Sequence, residues 1–523
     1  MKQKVHLMMK KDKTNTTPSF VLTLPLDVDQ DSQERLNADF FSFWRIYNGL
    51  VSISTKKWHQ LRKTRRYKAL SFAISKAKKG SPERKALYAQ RNQLLKEAGF
   101  SRTGFDEIVK PLAKHFGVNS AIAQTVAERV WKAWNDFFFG KGKEVHYRRF
   151  DAFYSFRGKS NVTGIMCREQ NGGFVLQYKD CVIPIILRNA NTNTGWYQRE
   201  ALKNRIKYCA ILRQWVKNRW KYYAQIILEG QPPIKVDKNG ALKYPIGEGH
   251  VGLDIGTQTL AISANDYCDL KVLAASALAQ AKSLVNEISE IQRAMDRSRR
   301  ATNAKYFNED GTIKRLRSKH GHKQRREWAY SQNYFKLRSR YRDLNRRLAA
   351  IRKQEHYALA NELLQYGDIF FIEDMNYQAL QKKSKDTKVK TKTGRSRSKN
   401  RFGKSLSRCA PAAFVTILKQ KVERLGGKLT KVNTFETKAS QFDHTDDSYT
   451  KKKLNQRFAK LSDGTVVQRD LYSAFLLAHL NKDMKSFSQT STEKDFPHFL
   501  ELHKQTANRL KHSTDWLPAS VGF

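Results

Sequence analysis

A chain of 523 residues carrying 98 Lys and Arg against 48 Asp and Glu has a net charge of +50 and a pI near 10.1. A compact domain repels itself at that charge unless a polyanion neutralises it, and neutralising phosphates releases counterions that drive binding, so nucleic acid is the expected partner. Hydrophobic residues at 40% are ample for real cores, no eighteen-residue apolar run exists to cross a membrane, and five scattered cysteines speak against a disulfide framework or a four-cysteine zinc site.

The chain opens Met1-Lys2-Gln3-Lys4-Val5-His6, without the apolar core of a signal peptide, so a cytoplasmic location is expected. Phe20–Leu24 is a strand pattern closed by Pro25. From about Leu36 to Phe139 the pattern turns helical and densely basic, with Trp44, Tyr47, Trp58, Trp131 and Trp134 interleaved. Its clearest polar face, Lys56 to Arg66, suits a lobe that grips a duplex backbone. Any single aromatic there is better read as core. Strand signals return around Phe150 to Leu187, with a turn at Asn171-Gly172-Gly173, and end in Trp220–Leu228, stopped by Gly230 and Pro232-Pro233. The strands on both sides of the helical stretch read as one β domain interrupted by an insertion.

After the boundary Pro245-Ile246-Gly247-Glu248-Gly249 comes Gly252-Leu253-Asp254-Ile255-Gly256, an apolar run ending in an acid. Ile369-Phe370-Phe371-Ile372-Glu373-Asp374 repeats that pattern. Between them, 275–300 and 331–364 carry apolar residues at three- and four-residue spacing, which predicts an antiparallel helical hairpin. Lys382–Lys404 holds eleven Lys or Arg and one acid, with no apolar run, and reads as a disordered, polyanion-seeking loop. Arg469-Asp470-Leu471-Tyr472-Ser473-Ala474 opens an apolar stretch with helical spacing. Past Leu480 the pattern is polar and weak, and is expected to be a tail.

Two acids at strand ends and one at a helix start can converge on one point. Such a cluster repels itself unless cations fill it, and suits two Mg²⁺ (or Mn²⁺) ions about 4 Å apart, the chemistry of phosphodiester cleavage. The order Asp, Glu, Asp favours a RuvC-like arrangement. Leu253–Gln258 also looks like the first phosphate loop of actin-like sugar kinases. No second glycine-rich phosphate segment or adenosine-binding glycine cluster follows, and a kinase needs no such charge.

With these acids in place, the sequence resembles TnpB, the RNA-guided nuclease of insertion sequences, and the related compact type V CRISPR effectors. Asn218–Tyr223 with Pro232-Pro233 resembles the strand entering the nuclease domain. Arg401–Leu406, Leu425-Gly426-Gly427 and Thr437–Gln441 resemble later family segments. The likeness is good over about 215–480 and weak before it. It implies a multidomain α+β chain: an N-terminal β-barrel wedge domain (1–34 and 141–246) with an inserted helical recognition lobe (35–140), then an RNase H-like (RuvC) α/β nuclease domain (247–480). Within the last, 275–364 would be a helical insertion, 382–404 a basic flexible loop and 435–468 a cysteine-free counterpart of the zinc-finger region; 481–523 would be a tail.

The resemblance implies Asp254, Glu373 and Asp470 as catalytic and metal-binding residues, a guide RNA and double-stranded target DNA as partners, and a short flanking motif read by the protein. Lys56, Lys57, Trp58, Arg62, Arg65, Arg66, Arg219, Lys221, Arg401, Lys404, Lys438 and Gln441 are the candidate nucleic-acid contacts. Two departures stand out. After Ser440 the chain reads Gln441-Phe442-Asp443-His444-Thr445-Asp446 where the family has Cys-x-x-Cys pairs, so no zinc is expected. His444 with Asp443 and Asp446 could in principle hold a metal, though a polar loop is the better reading. Tyr472 stands where the family has Asn. The alternatives are an RNA-guided repressor that does not cut and a strand-transferring transposase.

Overall fold

Local chemistry sets the first elements of the computed structural model. Helix α1 (Gln30–Leu61) follows strand β1 (Ser19–Pro25); Asp29 caps it, its carboxylate accepting the Ser32 N–H at 2.7 Å. Leu36, Phe40, Phe43, Tyr47, Leu50, Val51 and Ser54 recur at three- and four-residue steps and are buried. The structure describes residues 17–237, 239–314, 326–381, 388–389, 396–397, 402–452, 456–513, 517–518 and 521–522, in two compact units, Lys11–Ile234 and Lys235–Phe523.

In the first unit, helices α2 (Arg65–Lys76), α3 (Pro82–Glu97), α4 (Arg102–His115) and α5 (Ser120–Phe138) follow α1. Then come β2 (Ser155–Arg157), β3 (Ile165–Gln170), β4 (Gly173–Tyr178), β5 (Cys181–Pro184), α6 (Asn193–Leu202), β6 (Ile206–Val216) and β7 (Arg219–Glu229). β1 pairs antiparallel with β7 across 190-odd residues of chain, Leu22 opposite Ile226, so the strands flanking the helices do share one sheet, ordered β1-β7-β6-β2. A second sheet, β3-β4-β5, turns at Asn171 and Gly172, both at positive φ, the geometry an Asn-Gly hairpin needs. The expected barrel is not formed. A single bridge, Leu26 to Ile185, links the two sheets, and among the described residues neither closes on itself. One continuous core joins helices and strands: Phe40 and Phe43 meet Phe156, and Asp39 accepts from Tyr178 Oη and Lys179 Nζ, each at 2.8 Å. Within it Arg213, 1% exposed, lies against the faces of Phe40, Phe150 and Trp220 at 4.3–4.5 Å and donates to the carbonyls of Phe150 and Phe153.

The second unit is built on a five-stranded sheet. β8 (His250–Ile255), β9 (Thr259–Ala264) and β10 (Tyr267–Val272) form an antiparallel meander. Helices α7 (Ala275–Thr302) and α8 (Gln332–Leu363) follow, and then β11 (Ile369–Glu373), parallel to β8. The two helices run antiparallel, with Arg340 on Glu287 and Ser331 on Ser298. Next are α9 (Tyr377–Gln381), the two-residue ladder of β12 (Lys388–Val389) with β13 (Ser396–Arg397), α10 (Gly403–Cys409) and α11 (Pro411–Arg424). The rest of the basic run 382–401 lies outside the described residues. β14 (Lys428–Val432) adds parallel to β11, completing the order β10-β9-β8-β11-β14.

Short elements come next: α12 (Thr434–Thr437), the hairpin of β15 (Phe442–Asp443) and β16 (Ser448–Tyr449), and that of β17 (Phe458–Lys460) and β18 (Val466–Gln468). Helix α13 (Arg469–Ala478) covers one face of the large sheet, while α8 and α11 cover the other. The expected tail contains a 23-residue helix, α14 (Gln489–Lys511), burying Thr492, Phe496, Phe499, His503, Thr506 and Leu510. Its stripe mixes Thr and His with Phe, which hides the helical period from an apolar-only reading. Thr506 Oγ1 donates to the Cys268 carbonyl, anchoring α14 to β10.

Candidate active site

Strand alternation decides which residues can meet. Val251, Leu253 and Ile255 of β8, with Phe370 and Ile372 of β11, pack into the core shared with α8 and α11. Their alternates, Gly252 and Asp254 on β8 and Phe371 and Glu373 on β11, therefore face α13. The parallel register sets Leu253 beside Ile372, so Asp254 and Glu373 follow side by side at the strand ends.

The third acid is delivered by a match of two repeats. A Cβ added to Gly252 would lie 1.9 Å from the Ala474 carbonyl oxygen and 2.6 Å from the Ala478 nitrogen, so α13 rests directly on this glycine. His250 Nδ1 lies 3.1 Å from the Ala478 carbonyl. Ala478 thus sits at His250 and Ala474 at Gly252. Four helical residues rise about 6 Å and two strand residues about 6.6 Å, so one further step sets Asp470 at Asp254.

The electrostatics agree. Burial, then Glu373, then Asp470 push the Asp254 carboxyl well above the usual carboxylate range, and Arg469 pulls it down. Burial, then Asp470, raise Glu373 to about 7. Among the described residues, the positive charge acting on this cluster comes from Arg469. Its Nη2 and Nε donate to Asp470 Oδ1 at 2.9 and 3.1 Å, and its Nη1 to the Gln456 carbonyl at 3.1 Å. Both partners are about 85% buried. Among the described residues no three His, Cys, Asp or Glu side chains stand gathered as a ready metal site. Asp254 and Glu373 have the hard oxygen donors and uncompensated charge that suit a divalent cation, and Asp470 could join them once Arg469 releases it.

Asp374, next to Glu373, is exposed and paired with Lys431 at 3.0 Å, away from the cluster. Two neighbours escaped the sequence reading. Arg469 was visible beside Asp470 but carried no assigned role. Tyr377, four residues past Glu373, holds a hydroxyl shut off from solvent with no hydrogen-bond partner among the described residues; burial, then Asp254 and Asp374, push its ionisation upward. No local signal marks it.

The cysteine-free segment is held by a carboxylate. Buried Asp443 accepts from Thr445 N and Oγ1 (3.1 and 2.7 Å) through one oxygen, and from Ser462 N and Oγ (2.9 and 3.2 Å) through the other. It thereby ties the β15–β16 hairpin to the loop of β17–β18. Tyr472 Oη takes the His444 backbone N–H at 3.1 Å and meets His444 Nδ1 at 2.7 Å, which gives the unexpected tyrosine a partner.

Of the candidate nucleic-acid contacts, Lys56, Arg62, Arg65, Arg66, Arg219, Lys221 and Lys438 are exposed, and Lys57 and Gln441 partly so. Arg66 pairs with Glu97 at 3.1 Å. Trp58 packs among Tyr67, Phe100, Trp134, Phe137 and Phe138, with centroids 5.2–6.4 Å away, as a core aromatic would. Arg401 and the side chain of Lys404 lie outside the described residues. No helix is long and apolar enough to cross a membrane among the described residues.

No family model and no curated protein matches the sequence. Among solved structures, the chain is similar to Cas12f1 in a complex with sgRNA and target DNA, at 11% identity and a TM-score of 0.43, over 89% of this chain and 99% of that one. A CRISPR-Cas12f ternary complex aligns at 13% identity and a TM-score of 0.23, over 88% of this chain and 86% of that one. The Cas12i1 R-loop complex before target DNA cleavage gives 11%, 0.24, and 91% and 65% of the two chains. Values this low leave the reading of the site to its own residues.

Proposed function

We propose that this protein is an RNA-guided DNA endonuclease of the TnpB and compact type V CRISPR kind, with one RuvC-like site formed by Asp254, Glu373 and Asp470. The observation that supports the reading is the seating of α13 on β8, with Ala474 against Gly252 and Ala478 against His250, which brings the start of α13 toward the Asp254–Glu373 strand ends in a chain of net charge +50. Guide RNA would pair with one strand of double-stranded target DNA, and the protein would read a short flanking motif. Location in the cytoplasm, beside the DNA, follows from the same reading.

Asp254, Glu373 and Asp470 would hold two Mg²⁺ ions, which when bound supply a more acidic water and stabilise the departing 3′ oxygen. The chain's own residues do the rest. Asp254 and Glu373, fixed on adjacent parallel strands, hold their oxygens in place without reorganisation. Arg469 neutralises Asp470 until substrate and cations arrive. The basic surfaces retain the phosphate backbone.

Arg469 also favours a second reading, an RNA-guided repressor, if its pair with Asp470 never opens. Cleavage of matched double-stranded DNA by the protein with its copurifying RNA in Mg²⁺ separates the two. The endonuclease reading requires cutting that Asp254→Ala abolishes while RNA and DNA binding persist. Binding without cutting in the wild type establishes the repressor, and cutting by Asp254→Ala removes this site from the chemistry. Joining of a DNA end to a target would instead mark a strand-transfer enzyme.

A further inference from the structure

Phe435 is 86% exposed, more than Phe72 at 66% or Phe139 at 56%. A single apolar side chain on a surface is ordinary. This one differs in how it is mounted. Asn433 Oδ1 accepts the Phe435 N–H at 3.0 Å, and Asn433 Nδ2 donates to Glu436 at 3.0 Å. Glu436 is paired with Lys485 at 3.1 Å. Thr437 is fully buried and its Oγ1 donates to the Met484 carbonyl at 3.2 Å. Both sides of Phe435 are thus tied down along the backbone while the ring stands in water, so the backbone there has little conformational freedom left to lose when something covers the ring.

Its position is equally specific. Val432 is the register partner of Glu373, and the Asp374 N–H donates to the Val432 carbonyl at 2.9 Å. Phe435 lies three residues further on, at most about 11 Å along the chain. It therefore stands at the same sheet end as the acids, within the span of a few nucleotides. Exposed Lys438 lies three residues beyond it, and Lys431, also exposed, lies four residues before it and is paired with Asp374 at 3.0 Å, a pair that a phosphate would have to replace.

We propose that Phe435 is a stacking platform for a base of the single-stranded DNA led to the Asp254–Glu373–Asp470 cluster, with the flanking lysines on its phosphates. The inference rests on the nuclease reading and adds the residue that would seat the strand. An aromatic face accepts any base, which suits a site that must cut without regard to sequence. Aliphatic contact alone would not need a flat ring held clear of its neighbours.

The test uses the full-length protein with its copurifying RNA and a single-stranded oligodeoxynucleotide bearing 2-aminopurine, whose fluorescence is quenched by stacking. Wild type, Phe435→Ala, Phe435→Leu and Phe435→Trp are titrated at several salt concentrations, with thermal melts to check folding. Phe435→Ala and Phe435→Leu should each weaken binding about 5- to 100-fold and lose the quench, while Phe435→Trp keeps both. The dependence on salt should be unchanged, because no phosphate contact is removed. Wild-type affinity in Phe435→Ala, full rescue by Leu, an altered salt slope, or a loss confined to an oligoribonucleotide would each overturn the proposal while leaving the nuclease reading intact. If the wild type itself binds no single-stranded DNA, the stacking proposal falls, while the nuclease reading is decided separately by cleavage of matched double-stranded DNA.

Discussion

Gly252→Ala is the sharpest probe of how the acids are brought together. Removing a glycine normally stabilises a protein by about 0.4–1 kcal/mol through the unfolded chain. Here the added methyl would lie 1.9 Å from the Ala474 carbonyl oxygen, where Cβ atoms essentially never come within 3.0 Å, and the obstructing atoms are backbone. Helix α13 must retreat by roughly 1 Å or tilt. Overpacking of this kind costs about 1–3 kcal/mol, and with rigid backbone on one side the upper end applies, so packing overrides the entropic gain. That corresponds to a fall in melting temperature of about 5–10 °C. The same retreat draws Asp470 from Asp254, and a 1 Å misplacement costs on the order of 100-fold in rate. Calorimetry and Mg²⁺-dependent cleavage measure the two effects. Gly403→Ala, with no atom within 4 Å of the new methyl, serves as the control and should hold or slightly raise the melt through that same entropic gain. A Gly252→Ala protein that melts with the wild type and cuts at its rate would refute the docking of α13 on β8 as the source of the site.

The remaining expectations concern charge and hydrogen bonding. Glu373 titrates near 7 in the folded chain against 4.5 in a free side chain, so the native state binds the extra proton between these values. Stability from this group is then lost as pH rises from about 4.5 to 7, on the order of 1–3 kcal/mol, and the melting difference between wild type and Glu373→Gln without divalent ions should follow that slope. A difference flat across pH 5–8 would contradict it. Asp443→Ala leaves the Thr445 and Ser462 donors without their acceptor and should cost about 2–4 kcal/mol by chemical denaturation in the absence of divalent ions, where a cost near zero would contradict it. Arg213→Lys gives up the planar fit to three rings and two carbonyls; a loss of about 2–4 kcal/mol is expected, and urea unfolding reads it. Tyr377→Phe removes a buried hydroxyl that has no partner among the described residues, so the ligand-free protein should gain about 1 kcal/mol in the same assay.

What the sequence made legible was carried by local signals. The apolar runs before Asp254 and Glu373 are strands, the stretch from Leu471 is a helix, and Asn171-Gly172 turns a hairpin. Pro25 closes β1 as read. What stayed hidden depends on partners far along the chain. Gly252 looks like any glycine in a strand until α13 arrives on it. Asp443 reads as part of a polar loop, yet Ser462 and its backbone bury it. Helix α14 conceals its inner face behind threonines and histidines that find hydrogen-bond partners only in the folded unit. The barrel expected of the first unit failed for a similar reason, since closure depends on edges meeting and strand patterns carry no record of that.

The step-for-step seating of Ala478, Ala474 and Asp470 along β8 makes this part of the chain intolerant of length change. One residue inserted in α13 after Ala474 would leave Asp470 and its seat together but turn everything beyond by about 100°, and one inserted before it would swing the acid itself off the sheet. The stretches joining the three acids face no such restriction, because each acid is anchored by its own element. Sequence can therefore be added at the far end of the α7–α8 hairpin, letting that arm lengthen while the strand ends that carry the acids keep their spacing.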